Sequence, residues 1–311
     1  MNEIECTGQR NFLGLSDRHS SGETSFFHII PVPYDATTTF VSGARRGPKA
    51  IIDASAEVEL YDYQLDLEPA RAGIATHGEV PVLVGDPASM VERIERCVEG
   101  VLAGGKIPVV LGGEHTVSLG PLGALARSRE FTLVCFDAHA DLRSEYQGSP
   151  YSHACYLRRA SELVDCCVLG VRSLSLDEAR YAQKAGLRMF YADRLTGRSA
   201  DQVDLDFLPQ NVYLSIDLDV LDPSIMPSTG TPQPGGLDWY EMIGLLERVV
   251  TGRNVLGFDV VELCPQPGIP ASDFTAAKLI YKLMGLILRF SNNGREVNTG
   301  HGKEKDQEET S

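Results

Sequence analysis

The sequence predicts an α/β fold built on a mainly parallel sheet with helices on both faces. Three observations carry that expectation. Short apolar, β-branched runs alternate with longer helix-like patterns, as in strand–helix–strand units. The runs are nearly continuous in apolar residues, as in strands buried on both faces. Charged residues gather just after several of these runs, where open parallel sheets bind their ligands.

Taken in chain order, "FFHIIPVP" reads as the first strand and "GPKAIIDASAEVELYD" as the helix after it. "PASMVERIERCVEGVLAGG" has helical periodicity and leads into the strand "IPVVLGG". "FTLVCFD", "CCVLGVR", "RMFYAD", "NVYLSIDLD" and "VLGFDVVEL" follow as strands, and "DFTAAKLIYKLMGLILRF" as a closing helix. No stretch is rich enough in Pro or Gly to divide the domain, so residues 25–290 are expected to form one catalytic domain. Residues 1–24 and 291–311 are polar and lack periodicity, and are expected to be disordered tails.

Bulk composition narrows the function. The net charge is −15, from 28 basic and 43 acidic residues. That balance argues against a nucleic-acid partner, which would meet a basic face, and mildly favours cationic small molecules. No apolar run is long enough to cross a bilayer. The seven cysteines form no CxxC pair, and the N-terminus lacks a secretory pattern. A reducing, cytoplasmic setting is expected. No GxGxxG follows a strand, which argues against a dinucleotide site.

The charged strand ends are specific. "IPVVLGGEHT" delivers His115, "TLVCFDAHAD" delivers Asp137, His139 and Asp141, and "VYLSIDLDVLDP" delivers Asp217 and Asp219. Asp259 and Glu262 come from "VLGFDVVELCP". Carboxylates packed this closely repel one another and lose hydration unless cations join them. Carboxylates with a few imidazoles suit Mn²⁺ or a similar divalent ion, whereas thiolates would suit structural zinc. Two such ions about 3.5–4 Å apart can share a water and lower its pKa from about 15.7 towards neutrality.

These motifs resemble those of the ureohydrolase family of arginases and agmatinases. The resemblance rests on "GGEHT", "FDAHADLR" and "SIDLDVLDPSIMPSTGTPQPGG", with "PVPYDATTTFVSGARRGPKAI" and "TAAKLIYKLMG" at its two ends. It implies an arginase-like three-layer α/β/α sandwich around a mainly parallel eight-stranded sheet. It also implies two Mn²⁺ ions: His115, Asp137, Asp141 and Asp217 on one, Asp137, His139, Asp217 and Asp219 on the other, with Asp137 and Asp217 bridging. His153, in "SPYSHACYLRR", matches the family's catalytic histidine, and Glu262 the carboxylate that holds the substrate guanidinium. Thr231 aligns with a threonine near that group. Asp259 is expected to support the site, and Glu114 to orient its own loop. The implied reaction is hydrolysis of a guanidino compound to urea and an amine, by a homo-oligomer (trimer or hexamer).

The substrate's far end is less defined. Arginases hold the amino-acid end with an Asn- and Ser-containing loop, but here that loop is "LRSEYQGSPYS", with Arg143 in the asparagine's place. "YSHACYLRRA" and "LGVRS" resemble the agmatinase branch. The expected substrate is agmatine, cleaved to putrescine and urea in polyamine biosynthesis, whose ammonium end Glu145 could meet; aminopropylagmatine and 4-guanidinobutyrate are the alternatives. Aminopropylagmatine needs the same chemistry in a longer pocket. Arg143 would suit a carboxylate-ended substrate such as 4-guanidinobutyrate. "CPQPGIPASDF" lacks the Tyr-Asp common in agmatinases after Glu262. Two rival classes are an amide deacetylase, which binds a single zinc, and a non-catalytic, metal-binding regulatory homologue.

Overall fold

The computed structural model describes residues 11–295. Eight strands form one sheet: β1 (Phe27–Val32), β2 (Ile74–Thr76), β3 (Ile107–Gly112), β4 (Thr132–Phe136), β5 (Asp165–Val171), β6 (Arg188–Tyr191), β7 (Asn211–Asp217) and β8 (Asn254–Val261). Their order is β2-β1-β3-β8-β7-β4-β5-β6. Every pairing is parallel. Seven of these strands are the apolar runs read from the sequence. The eighth, β2, is a three-residue edge strand, too short to show a pattern.

Eight helices complete the layers: α1 (Asp17–Ser20), α2 (Gly47–Ser55), α3 (Pro87–Ala103), α4 (Leu119–Ala126), α5 (Tyr156–Ala160), α6 (Leu176–Ala185), α7 (Trp239–Val250) and α8 (Pro270–Phe290). Helices α2, α7 and α8 pack on one face of the sheet. Helices α3 to α6 cover the other. In β4, Val134 and Phe136 point to the first face while Leu133 and Cys135 point to the second. Because both faces are buried, alternate side chains are apolar in either direction, and the strand reads as one apolar run. The three-layer sandwich is as expected. No helix of the described residues is long and apolar enough to cross a membrane.

Contacts of the described residues reach past positions 25 and 290 at both ends. Phe12 and Leu13 are buried, so packing begins well before residue 25. The Leu13 N–H donates to Ser55 Oγ (2.7 Å) on α2, and the Phe12 N–H to Thr76 Oγ1 (3.0 Å) on β2. Two apolar residues in a polar run suffice to anchor it without any periodicity. At the other end, Asn293 pairs with the backbone of Val255 through both its oxygen (3.2 Å) and its nitrogen (2.8 Å). A polar side chain here satisfies the buried backbone near the start of β8. The remainder of both expected tails, residues 1–10 and 296–311, lies outside the described residues.

His28 on β1 sits beneath α3, with Nδ1 2.9 Å from His77 Nε2. Burial, then His77 and Lys106, push its pKa down to about 4. Between pH 6.5 and about 4, the unfolded chain therefore binds more protons at this site than the folded chain. Stability falls as pH drops through that window. His28→Asn should lose less Tm across the window than the wild type; equal losses would place the acid sensitivity elsewhere.

Candidate metal centre and substrate cavity

Four central strands carry the site. Between β7 and β4 the chain leaves in opposite directions, β7 leading to β8 and β4 to β5. Such a switch point opens a crevice at the carboxyl ends of the strands. His115 follows β3 through Gly112 and Gly113. A Cβ on Gly113 would lie 2.0 Å from the Tyr34 carbonyl oxygen, so this close turn requires glycine. Asp137, His139 and Asp141 follow β4, Asp217 and Asp219 end and follow β7, and Glu262 follows β8. Asp141 (φ 49°) and Glu262 (φ 65°) both sit in the left-handed region. Strain of this kind in non-glycine residues concentrates at functional sites.

The six expected metal ligands converge. His115 Nδ1 lies 3.1 Å from Asp137 Oδ2, 3.3 Å from Asp217 Oδ2 and 3.5 Å from Asp141 Oδ2. His139 Nδ1 lies 2.9 Å from Asp219 Oδ2 and 3.7 Å from Asp137 Oδ1. Asp137 thus reaches both imidazoles, Oδ2 facing His115 and Oδ1 facing His139. Asp217 turns Oδ2 to His115 and accepts the Asp219 N–H at Oδ1 (2.9 Å).

The electrostatics call for cations. Burial opposes ionisation of Asp137, yet hydrogen bonds from His115 and His139 hold its pKa well below the usual range. Burial, then Asp219 and Asp137, drive Asp217 well above it. Burial works against a charged His139, but Asp219 and Asp137 push its pKa up to about 12. The cluster therefore draws in positive charge wherever it can. His115 Nδ1 is buried and makes no aligned hydrogen bond despite three carboxylate oxygens around it. A nitrogen lone pair aimed into converging carboxylates fits a divalent cation.

A second ring of contacts fixes that lone pair. Ser215 Oγ donates to Asp259 Oδ1 (2.6 Å) and can therefore accept the Nε2–H of His115 (3.0 Å). With Nε2 protonated, Nδ1 is left to bind metal. Asp259 also accepts from Ser118 Oγ (2.8 Å) and from the Tyr213 hydroxyl (2.9 Å), which satisfies a carboxylate with no solvent exposure. Asp259 is thus a support, as expected; Ser215 and Tyr213 lie in a strand run that gives no sign of their role. Arg172 clamps the metal loop from outside, donating to the carbonyls of Asp219 (2.7 Å) and Gln233 (2.8 Å). Glu178 accepts the Leu142 N–H (3.0 Å) and steadies the loop beside Asp141.

A cavity of about 310 Å³ opens onto the cluster. His139, Asp141, Asp217, His153, Thr231, Glu262 and Arg143 line it. Glu262 Oε1 accepts the His115 N–H (2.8 Å), and burial, then the nearby Glu114, push its pKa up to about 8. A buried carboxylate under that pressure favours a cationic partner. Thr231 Oγ1 donates to Asp219 Oδ2 (3.3 Å). Burial lowers the His153 pKa to about 4, with His115 and His139 adding to the effect, so its imidazole is neutral and able to accept a proton. Arg143 lies over the Tyr146 ring, 4.9 Å from its centroid, and pairs with no carboxylate among the described residues. Glu145 is exposed and does not line the cavity. Thr39 and Tyr146 do, although neither stands out in the sequence.

Residues 26–285 match the Arginase family. The chain belongs to the arginase family. It is 42% identical to an N(1)-aminopropylagmatine ureohydrolase of Thermus thermophilus, over 88% of this chain and 94% of that protein. It is 37% identical to an agmatinase of Pyrococcus horikoshii, over 84% of this chain and 92% of that protein. Among solved structures, the agmatine ureohydrolase of Thermoplasma volcanium superposes with a TM-score of 0.83 at 29% identity, covering 91% of this chain and 96% of that one. This arginase-family chain is therefore a ureohydrolase of the agmatinase branch, a hydrolase of amidine C–N bonds.

Proposed function

We propose that this ureohydrolase cleaves the guanidinium of N(1)-aminopropylagmatine in preference to agmatine, releasing urea and a polyamine. The observation that carries the reading is one cavity holding a buried carboxylate, Glu262, beside the metal-ligand cluster and a neutral His153. Preference for the longer substrate is supported by the higher identity to the Thermus protein bearing that name. The acidic surface favours approach of a polycation. The six described cysteines are all free, in keeping with a cytoplasmic setting.

The expected ligand set would hold two Mn²⁺ ions. Bound there, they would supply an activated water and neutralise charge that develops in the transition state. The chain's own residues do the rest. Glu262 receives the guanidinium N–H groups through charge-assisted hydrogen bonds. As water adds to the guanidinium carbon, His153 Nε2 takes a proton. As the C–N bond breaks, its electron pair stays on the leaving nitrogen, which accepts that proton and departs as the amine.

A second reading is favoured by Arg143. Its unpaired guanidinium at the cavity wall suits a carboxylate-ended substrate such as 4-guanidinobutyrate. Urea release by the Mn²⁺-loaded protein, measured on aminopropylagmatine, agmatine, arginine and 4-guanidinobutyrate, separates the readings. The highest kcat/KM is expected for aminopropylagmatine. A maximum for 4-guanidinobutyrate would transfer the assignment, and no urea from any of the four would overturn it.

A further inference from the structure

Glu114 is fully buried next to the metal loop, yet it points away from the ligand cluster. Its Oε2 accepts the backbone N–H of Thr37 (2.6 Å), and its Oε1 lies 2.8 Å from Thr37 Oγ1. Thr37 belongs to the loop after β1, and it faces His153 from across the cavity wall. Its Oγ1 lies 2.9 Å from the His153 backbone nitrogen and 3.3 Å from His153 Nδ1.

A hydroxyl has one proton to give and two lone pairs to receive. Here the neighbours dictate all three directions. The His153 backbone N–H can only donate, so it occupies one lone pair of Thr37 Oγ1. Ionised Glu114 Oε1 is the nearer and stronger acceptor (2.8 Å against 3.3 Å to Nδ1), so the hydroxyl proton goes to it. The second lone pair then faces Nδ1, which must carry the imidazole proton to complete the bond. Nε2 is left with its lone pair, 3.5 Å from Thr39 Oγ1, a residue of the cavity wall. Ser152 Oγ lies 3.4 Å from the same Nδ1, but among the described residues no other side-chain contact directs its hydroxyl.

We propose that Thr37, its hydroxyl oriented by Glu114, is the positioning residue that sets the tautomer and direction of the His153 imidazole, so that Nε2 is the atom that carries the proton to the leaving amine. The proposal rests on the role given to His153 above and extends it. It explains why a carboxylate with no exposure lies between the metal loop and the β1 loop: it supplies polarity to a chain of hydrogen bonds that ends at the reacting proton. Thr37 is not among the residues that line the cavity, and its side-chain contacts are to Glu114 and His153, so its influence passes through His153.

The test uses the Mn²⁺-loaded full chain and four variants: Thr37→Val, Thr37→Ser, His153→Ala and the Thr37→Val/His153→Ala double. Thr37→Val keeps the side-chain shape and removes the hydroxyl. Its kcat is expected to fall ~10-fold or more, a part of the about 10²–10⁴ that positioned proton transfer contributes. KM and metal content should stay at wild-type values, Tm should fall because Glu114 Oε1 and the His153 N–H lose a partner, and Thr37→Ser should restore most of the kcat and of the Tm. The double variant should be no slower than His153→Ala alone, because Thr37 has nothing left to orient. A normal kcat for Thr37→Val beside an impaired His153→Ala would overturn the proposal and leave the His153 assignment standing. So would a double variant slower than His153→Ala, or a loss of metal in Thr37→Val. A normal His153→Ala would remove the His153 assignment itself, and this proposal with it.

Discussion

Asp137→Asn is expected to abolish urea release and to leave the protein unable to hold two metal ions. The substitution keeps the shape of the side chain and removes one negative charge. Asp137 is the carboxylate whose two oxygens reach both His115 and His139. It is also the member of the cluster that its neighbours hold most firmly ionised, against the cost of its burial. An amide there offers only one oxygen as a ligand and turns N–H donors towards groups that should face a cation. Loss of a single charge-stabilising group in an active site costs about 10²–10³ in kcat. Loss of the bound ions removes the activated water as well, so the effect should exceed that range. Two readouts check it. Bound Mn²⁺ per chain, measured after gel filtration, should fall below two. Added Mn²⁺ should raise the Tm of the wild type by mass action and that of the variant by less. A variant with two ions and normal turnover would refute the centre.

The parts of this protein legible in its sequence are those where one physical demand acts on many neighbouring residues. Burial on both faces made β1, β3 to β5, β7 and β8 readable as apolar runs, while β6, a part-exposed edge strand, was readable from its apolar and aromatic centre. Charge clustering at strand ends made the six-residue cluster readable, because carboxylates at that density repel one another unless a cation joins them. The structure brings the six together. The features that the sequence hides depend on single contacts. Phe12 and Leu13 pack without a repeating pattern to announce them. Ser215 and Tyr213 look like ordinary strand residues until Asp259 is seen between them. Thr37 stands in a run of three threonines, and only the fold distinguishes it from its neighbours. Arg143 and Glu145 are two residues apart, yet only Arg143 lines the cavity. Loop direction is set by tertiary contacts such as the bond from the Arg143 N–H to the Ala154 carbonyl (3.2 Å), which composition does not encode.

Glu262→Gln separates substrate binding from metal binding. Glutamine is nearly the same size and can still accept the His115 N–H that Glu262 Oε1 now accepts at 2.8 Å. The loop should therefore keep its shape, including the left-handed backbone at this position. What is lost is the charge. Glu262 is buried, and a guanidinium bound there gives up its water in exchange for that carboxylate. Hydrogen bonds to a charged partner contribute about 1.5–3 kcal/mol, which corresponds to ~10–100-fold in affinity. An uncharged amide returns little of this, and it aims N–H donors at a cation. If the contact is equally strong in ground and transition states, KM rises while kcat holds; if it tightens as the C–N bond breaks, kcat falls too. In either case kcat/KM should drop by at least about 10-fold, while the two ions stay bound, in contrast to Asp137→Asn. Near-normal kcat/KM would show that the guanidinium docks elsewhere. Loss of metal together with activity would place Glu262 among the groups that hold the ions rather than the substrate.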